Sequence, residues 1–202
     1  MQKKDNTSVV SVQSDSRGVK FIAAAEMPVS LWSGGKTTEI CIFPNGAVYA
    51  ERSFLFRIST AAVELCESDF TPLPDYDRLI ASISGTMRLS HEKNGAETVV
   101  SPRSTVYAFD GGIPTHCLGK ARDLNLMLRK GAATGEMMFV DDGTELDIEP
   151  AESETVVIFE LESGNAVLCA GAGARLHCSA NGQCALFRVR VAENAAVSTD
   201  NK

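Results

Sequence analysis

What most limits the fold of this chain is the shortness of its apolar stretches and how regularly turn residues cut them. In Phe54–Leu55–Phe56–Arg57–Ile58–Ser59, alternation places Phe54, Phe56 and Ile58 on one face. Leu55, Arg57 and Ser59 fall on the other, the period-two pattern of a strand. Leu79, Ala81 and Ile83 repeat it up to Gly85, and Met87 and Leu89 resume it. Leu124, Leu126 and Leu128 alternate with Asp123, Asn125, Met127 and Arg129. Further strands are expected at Thr98–Ser101, Thr105–Phe109, Glu154–Leu161, Ala166–Ala170, Ala174–Cys178 and Gln183–Val191. Asn45–Gly46, Glu92–Gly95, Gly164–Asn165, Gly171 with Gly173, and Asn181–Gly182 mark turns. Only Thr60–Glu67 is left open between helix and strand. Short strands recurring every 8–12 residues or so predict an all-β sandwich or barrel.

Composition narrows the function. At 202 residues the chain is long enough for a sizeable core, and 44% hydrophobic with 22% charged residues is ordinary globular balance. A net charge of −7 argues against a wide grip on phosphate backbones, so no nucleic-acid partner is expected. No run approaches the roughly 18 apolar residues of a membrane span. Lys3 and Lys4 have no apolar stretch behind them, so the expectation is a cytoplasmic protein without a membrane partner. In that compartment Cys41, Cys66, Cys117, Cys169, Cys178 and Cys184 are thiols, and no CxxC pair supports zinc.

The common catalytic signatures are missing. His91, His116 and His177 lie far apart with no HxH or HxxxH spacing, so no metal is expected. Gly35–Lys36–Thr37 imitates the end of a phosphate loop, but Ser30 stands where the first glycine belongs and a strand-like run follows. The paired Gly34 and Gly35 instead imply unusual φ or a close backbone approach. Cys117 adjoins His116, and neighbours in a strand point to opposite faces, so the two form no dyad. Charged and amide groups inside strand-like text are more informative. Arg57 and Arg78 sit beside apolar positions, and Asp110, Asp123 and Asn125 flank glycines and strand leucines. Inward arginine is costly unless paired, so this set outlines either a polar pocket at a barrel mouth or a structural ion network.

Those residues also carry a resemblance. Trp32 with Gly34–Gly35–x–Thr37–x–Glu39, then Phe56–Arg57–Ile58–Ser59–x–Ala61, resembles the HutD/Ves family. So do Phe70–x–x–Leu73–Pro74–x–x–Asp77–Arg78, Ile83–x–Gly85, and Phe109–Asp110–Gly111 leading to Asp123–Leu124–Asn125–Leu126–Met127. The resemblance covers about Val19 to Arg129. It implies a cupin-like fold, two double-stranded β-helix barrels fused as a compact bicupin, without the usual metal-binding histidines and with no cofactor. The domain expectation is a flexible lead over residues 1–18, then one unit over 19–198 with halves 19–130 and 131–198. Gly131–Gly135 and Asp141–Gly143 are the linker candidates. One departure is the Trp32–Gly34 spacer, which here is Ser33 alone where the family carries a longer, asparagine-containing one.

Mapped by motif, the ligand-binding candidates are Trp32, Thr37, Glu39, Arg57, Ser59, Arg78, Asp110, Asp123 and Asn125. The resemblance implies a small carboxylated metabolite, in an accessory or regulatory role tied to histidine utilisation or stress. Arg57 or Arg78 would meet the carboxylate, Asp123 or Asn125 would orient a polar head, and Trp32 would close an apolar side. Two other readings stand beside this one. A metal-independent isomerase or hydrolase would use Glu39 and Asp123 as acid and base. A structural or protein-interaction module would fill the region around Arg57 with side chains. Exposed sheet edges leave a homodimer open.

Overall fold

The computed structural model describes residues 13–15, 18–91, 95, 97–180 and 182–196. Most of the lead expected over residues 1–18, and Glu92–Asn94 and Asn181 of the expected turns, lie outside them. The chain is all-β, as expected. Its strands begin with β1 (Gln13–Asp15), β2 (Val19–Ile22), β3 (Val29–Trp32), β4 (Gly35–Phe43), β5 (Phe56–Val63) and β6 (Glu67–Phe70). They continue with β7 (Tyr76–Ser84), β8 (Met87–His91), β9 (Glu97–Val100), β10 (Tyr107–Asp110), β11 (Thr115–Leu118) and β12 (Ala121–Arg129). The last are β13 (Ala133–Val140), β14 (Glu145–Ile148), β15 (Glu154–Glu160), β16 (Ala166–Ala170), β17 (Arg175–Ser179) and β18 (Cys184–Val191). Among the described residues no helix is long and apolar enough to cross a membrane.

The segment left open at Thr60–Glu67 is not helical: it holds the end of β5 and the first residue of β6, joined by a bend at Leu65–Cys66. Thr60 to Val63 continue β5, which is paired on one side with β4 and on the other with β12. Two flanking ladders outweigh the weak helical propensity of a short run containing Thr60 and Val63.

Two compact units emerge. One gathers the chain through Glu26 with Met138–Arg188, the other Met27–Met137 with the chain from Val189. This division differs from halves meeting at residue 130. Gly131 sits in a tight turn, where the N–H of Ala132 donates to Arg129, and β13 starts at once at Ala133, leaving no room for a linker there. Residues 13–15, expected within a flexible lead, pair antiparallel with β17 as β1.

The first unit holds a three-stranded sheet, β1–β17–β14, and most of a five-stranded one, β13–β18–β15–β16–β2; the boundary between units falls within β13 and β18. Its core is aliphatic and thiol-rich, with Ile148, Val156, Ile158, Cys169, Leu176, Cys178 and Cys184 buried together. The second unit holds a six-stranded sheet, β10–β7–β12–β5–β4–β3, and a four-stranded one, β6–β11–β8–β9. Two of its apolar clusters bear on the site. One contains Phe70, Ile80, Met87 and Leu89, against which Trp32, Tyr107 and Phe109 pack. The other contains Phe54, Leu73, Tyr76 and Met127, with Ile42 and Tyr49 against it.

Candidate functional site

The six-stranded sheet sets the site by register. Along β12 and β5, Asp123 stands opposite Ala61, Asn125 opposite Ser59 and Met127 opposite Arg57. On the far side of β12, Arg78 of β7 stands opposite Met127. On the far side of β5, Thr37 and Glu39 of β4 stand opposite Ala61 and Ser59. Residues opposite one another across a ladder share a face, so all of these side chains fall on one side of the sheet. The alternate residues Ile58, Leu124, Leu126 and Leu128 are buried on the other.

On that polar face is a cavity of about 220 Å³, within the second unit. Its wall takes Trp32 and Phe70 from one apolar cluster and Met127 and Tyr49 from the other. Arg57, Arg78, Asp123 and Asn125 supply the polar wall. Leu31 stands on the rim with 85% of its surface exposed.

The two arginines differ in how they are held. Arg57 donates from Nε to Oε2 of Glu39 at 2.7 Å and from Nη1 to Ser59 Oγ at 3.4 Å, and it lies over the Tyr49 ring at 4.4 Å. Its charge is therefore matched. Arg78 is only 6% exposed, and its guanidinium lies 5.1 Å from the Phe70 ring centroid and 5.3 Å from that of Phe109. Aromatic faces attract a cation but do not satisfy an N–H. Its Nε has no hydrogen-bond partner among the described residues. Burial pulls its pKa below the ordinary arginine range, Arg57 adds to that pull, and Asp123 opposes it.

Asp123 is the carboxylate of the cavity wall. Burial pushes its pKa up to about 7, against the opposing charge of Arg78 and a hydrogen bond from the N–H of Ala61. Its Oδ1 lacks a partner, as do Asn125 Oδ1 and Trp32 Nε1. Four of the five buried side-chain atoms without a partner among the described residues thus belong to residues lining this one cavity; the fifth is Ser68 Oγ. Native interiors hold few such atoms, and their clustering marks a place where a polar molecule would complete them.

Seven of the nine sequence candidates line the cavity: Trp32, Thr37, Arg57, Ser59, Arg78, Asp123 and Asn125. Glu39 stands behind the wall, holding Arg57. Asp110 is placed elsewhere, a correction to the candidate set. Its Oδ1 accepts from the N–H of Gly112 and pairs with Lys130 Nζ at 2.6 Å, so the carboxylate shapes the turn after β10. The sequence reading missed Tyr49, Thr71 and Met127. Met127 lay inside a quoted motif and on the polar alternation, which was the available signal; Tyr49 sits in a short helical turn with no periodicity to reveal it.

The histidines are spent elsewhere. Thr115 donates its hydroxyl proton to the carbonyl of Ile113, so it accepts from His91 Nδ1 at 3.0 Å, leaving Nε2 to accept from Tyr107 at 2.9 Å. His116 pairs with Asp69 and His177 with Asp147. Among the described residues no three His, Cys, Asp or Glu side chains are arranged to hold a metal ion.

Comparison with known proteins gives the family and the fold. The sequence pattern of the HutD family matches residues 24–200. No curated protein matches the chain. Among solved structures, a conserved protein of unknown function from Pseudomonas aeruginosa PAO1 superposes with a TM-score of 0.68 at 23% identity, covering 85% of this chain and 97% of its own. HutD from Pseudomonas fluorescens SBW25, solved in a formate condition, gives 0.70 at 21% identity over 86% and 99% of the two chains. The bacterial pirin YhhW of Escherichia coli, in complex with nickel(II), gives 0.61 at 10% identity over 86% and 99%. Likeness at these identities is one of fold, and the fold is cupin-like. The cavity wall itself offers one carboxylate and neither imidazole nor thiol.

Proposed function

The chain belongs to the HutD family, and on that premise we propose that its cavity binds a small carboxylated metabolite, with Arg78 meeting the carboxylate. The observation that carries this reading is the Arg78 Nε–H, buried on the cavity wall without a partner among the described residues. A guanidinium left so is expensive, by a few kcal/mol, and a carboxylate is the planar acceptor its fork fits. Arg57 is the weaker candidate, since Glu39 already occupies its Nε. The cavity, at about 220 Å³, lies below the roughly 300–1,000 Å³ of drug-sized sites, which favours a small metabolite. An accessory or regulatory role linked to histidine utilisation rests on family membership, as does reading the fold as two fused cupin barrels.

Trp32 is the sole tryptophan and lines the cavity, so its fluorescence reports occupancy. Titration with formate, lactate, succinate, glutamate and N-formylglutamate should show saturable binding of at least one acid. Arg78→Met should weaken that binding about 30-fold or more, the loss of a charge-assisted pair worth roughly 2 kcal/mol. Failure of every acid to bind, or an Arg78→Met protein that binds as well as wild type, would sink the proposal. A second reading is favoured by one observation: a carboxyl with a pKa of about 7 on the wall of a cavity suits a general acid or base. Product analysis of any acid that binds decides between binding and turnover.

A further inference from the structure

We propose that the cavity takes up its carboxylate together with a proton, which Asp123 holds. The inference deepens the carboxylate reading above and rests on it. Its basis is the charge arrangement of the wall. Arg57 and Glu39 form their own ion pair at 2.7 Å and cancel. What remains is Arg78 from β7 and Asp123 from β12, whose charges act on one another. With Asp123 ionised, the cationic charge of Arg78 is already offset. An entering carboxylate would then place two buried anions against one cation, an arrangement in which one carboxyl is held protonated. With Asp123 protonated, the wall carries a single positive charge and matches a single carboxylate.

Other groups facing Asp123 do not supply the missing charge. From β5, Ala61 gives a backbone N–H; from β7, Ser82 stands opposite. From β11, burial and then the charge of Asp123 push the Cys117 thiol up to about 11, so it stays neutral. Asp123 is 2% exposed and its Oδ1 has no partner, so it is placed to share a proton with a molecule in the cavity. Burial already holds its pKa at about 7 without such a molecule. A neighbouring anion raises it further. In the step itself the only bond exchanged is to a proton: the ligand enters as its anion, a solvent or buffer acid gives up one proton, and an O–H bond forms on the Asp123 carboxylate.

The sign follows from linkage. Below pH 7 Asp123 is protonated in both free and bound protein, and affinity is level down to the ligand's own carboxyl pKa. Above pH 7 the free protein must gain a proton on binding, so affinity falls by up to tenfold per pH unit. The test uses wild-type protein and formate, which has no other ionisable group, followed by Trp32 fluorescence from pH 6 to 8.5. Calorimetry at pH 8 in two buffers of different ionisation enthalpy then counts protons. We expect weakening of about tenfold between pH 7.5 and 8.5, with about one proton taken up per formate at pH 8. Asp123→Asn, which mimics the protonated acid, should bind at pH 8.5 about as tightly as wild type does at pH 6. Affinity independent of pH, zero proton uptake, or an Asp123→Asn protein with the wild-type slope would overturn the proton-coupled step while leaving carboxylate binding intact. No formate binding at any pH, with the other acids failing too, would remove both proposals together.

Discussion

A side chain at Gly34 would collide with the indole of Trp32: a Cβ there would stand 2.1 Å from Cζ3 and 2.8 Å from the Cβ of Ser68. The nearer obstacle is the far end of a side chain, so the ring would swing and the backbone would hold. Gly34→Ala should therefore keep the fold but displace Trp32 from the cavity wall, shifting its emission to the red and weakening carboxylate binding several-fold. Unchanged emission would mean that the indole is not held as described. At this scale much of the site was legible. Arg57, Arg78, Asp123 and Asn125 stand out because a charge or amide in apolar alternation needs a reason to be there. The one misplaced candidate, Asp110, precedes two glycines, where a short carboxylate has an alternative use in bonding the backbone of its own turn. Sequence carries the residue type but not the turn geometry that chooses between those uses.

The hairpin of β3 and β4 depends on Gly35 for a different reason. It adopts φ +154°, and a Cβ there would lie 1.9 Å from the carbonyl oxygen of Ala62. The obstacle is backbone, so Gly35→Ala must push β4 away from β5. We expect a loss of about 1–3 kcal/mol in urea denaturation, the usual cost of overfilling a packed contact; wild-type stability would show that the strands have slack there. Many strands were marked in the sequence by alternation and turn residues, but β6, β11, β13 and β14 were not, and the linker expected at Gly131–Gly135 overlaps β13. Pairing was not marked. Nothing in the sequence places β12 between β5 and β7, nor predicts the shift in the β4–β5 register between Glu39 and Cys41. Register is fixed by contacts between segments distant in the chain, which alternation within a single segment cannot encode.

Across the whole molecule the thiols offer a check on burial in both units. Burial raises Cys117, Cys178 and Cys184 to about 11 and Cys41 to about 12, and it raises Cys169 as well, while Cys66 is exposed. Since the thiolate is the reacting form, iodoacetamide at pH 8 should add one label to the native protein, at Cys66, and six after denaturation. A second label entering as fast as the first, read by mass spectrometry, would contradict the packing of the unit it falls in. The organisation into two units was the least legible feature, because the N-terminal strands join the unit built by the C-terminal third. The alternation along β12 has one further consequence. Asp123, Asn125 and Met127 face the cavity, whereas Leu124, Leu126 and Leu128 face the core, on the same strand. Residues that line the cavity and residues that fill the core thus occupy interleaved positions of one segment. On the carboxylate reading, single substitutions at Asp123 or Asn125 would change what the cavity accepts while Leu124, Leu126 and Leu128 keep the strand in place; Met127 serves both, since it also packs with Phe54, Leu73 and Tyr76.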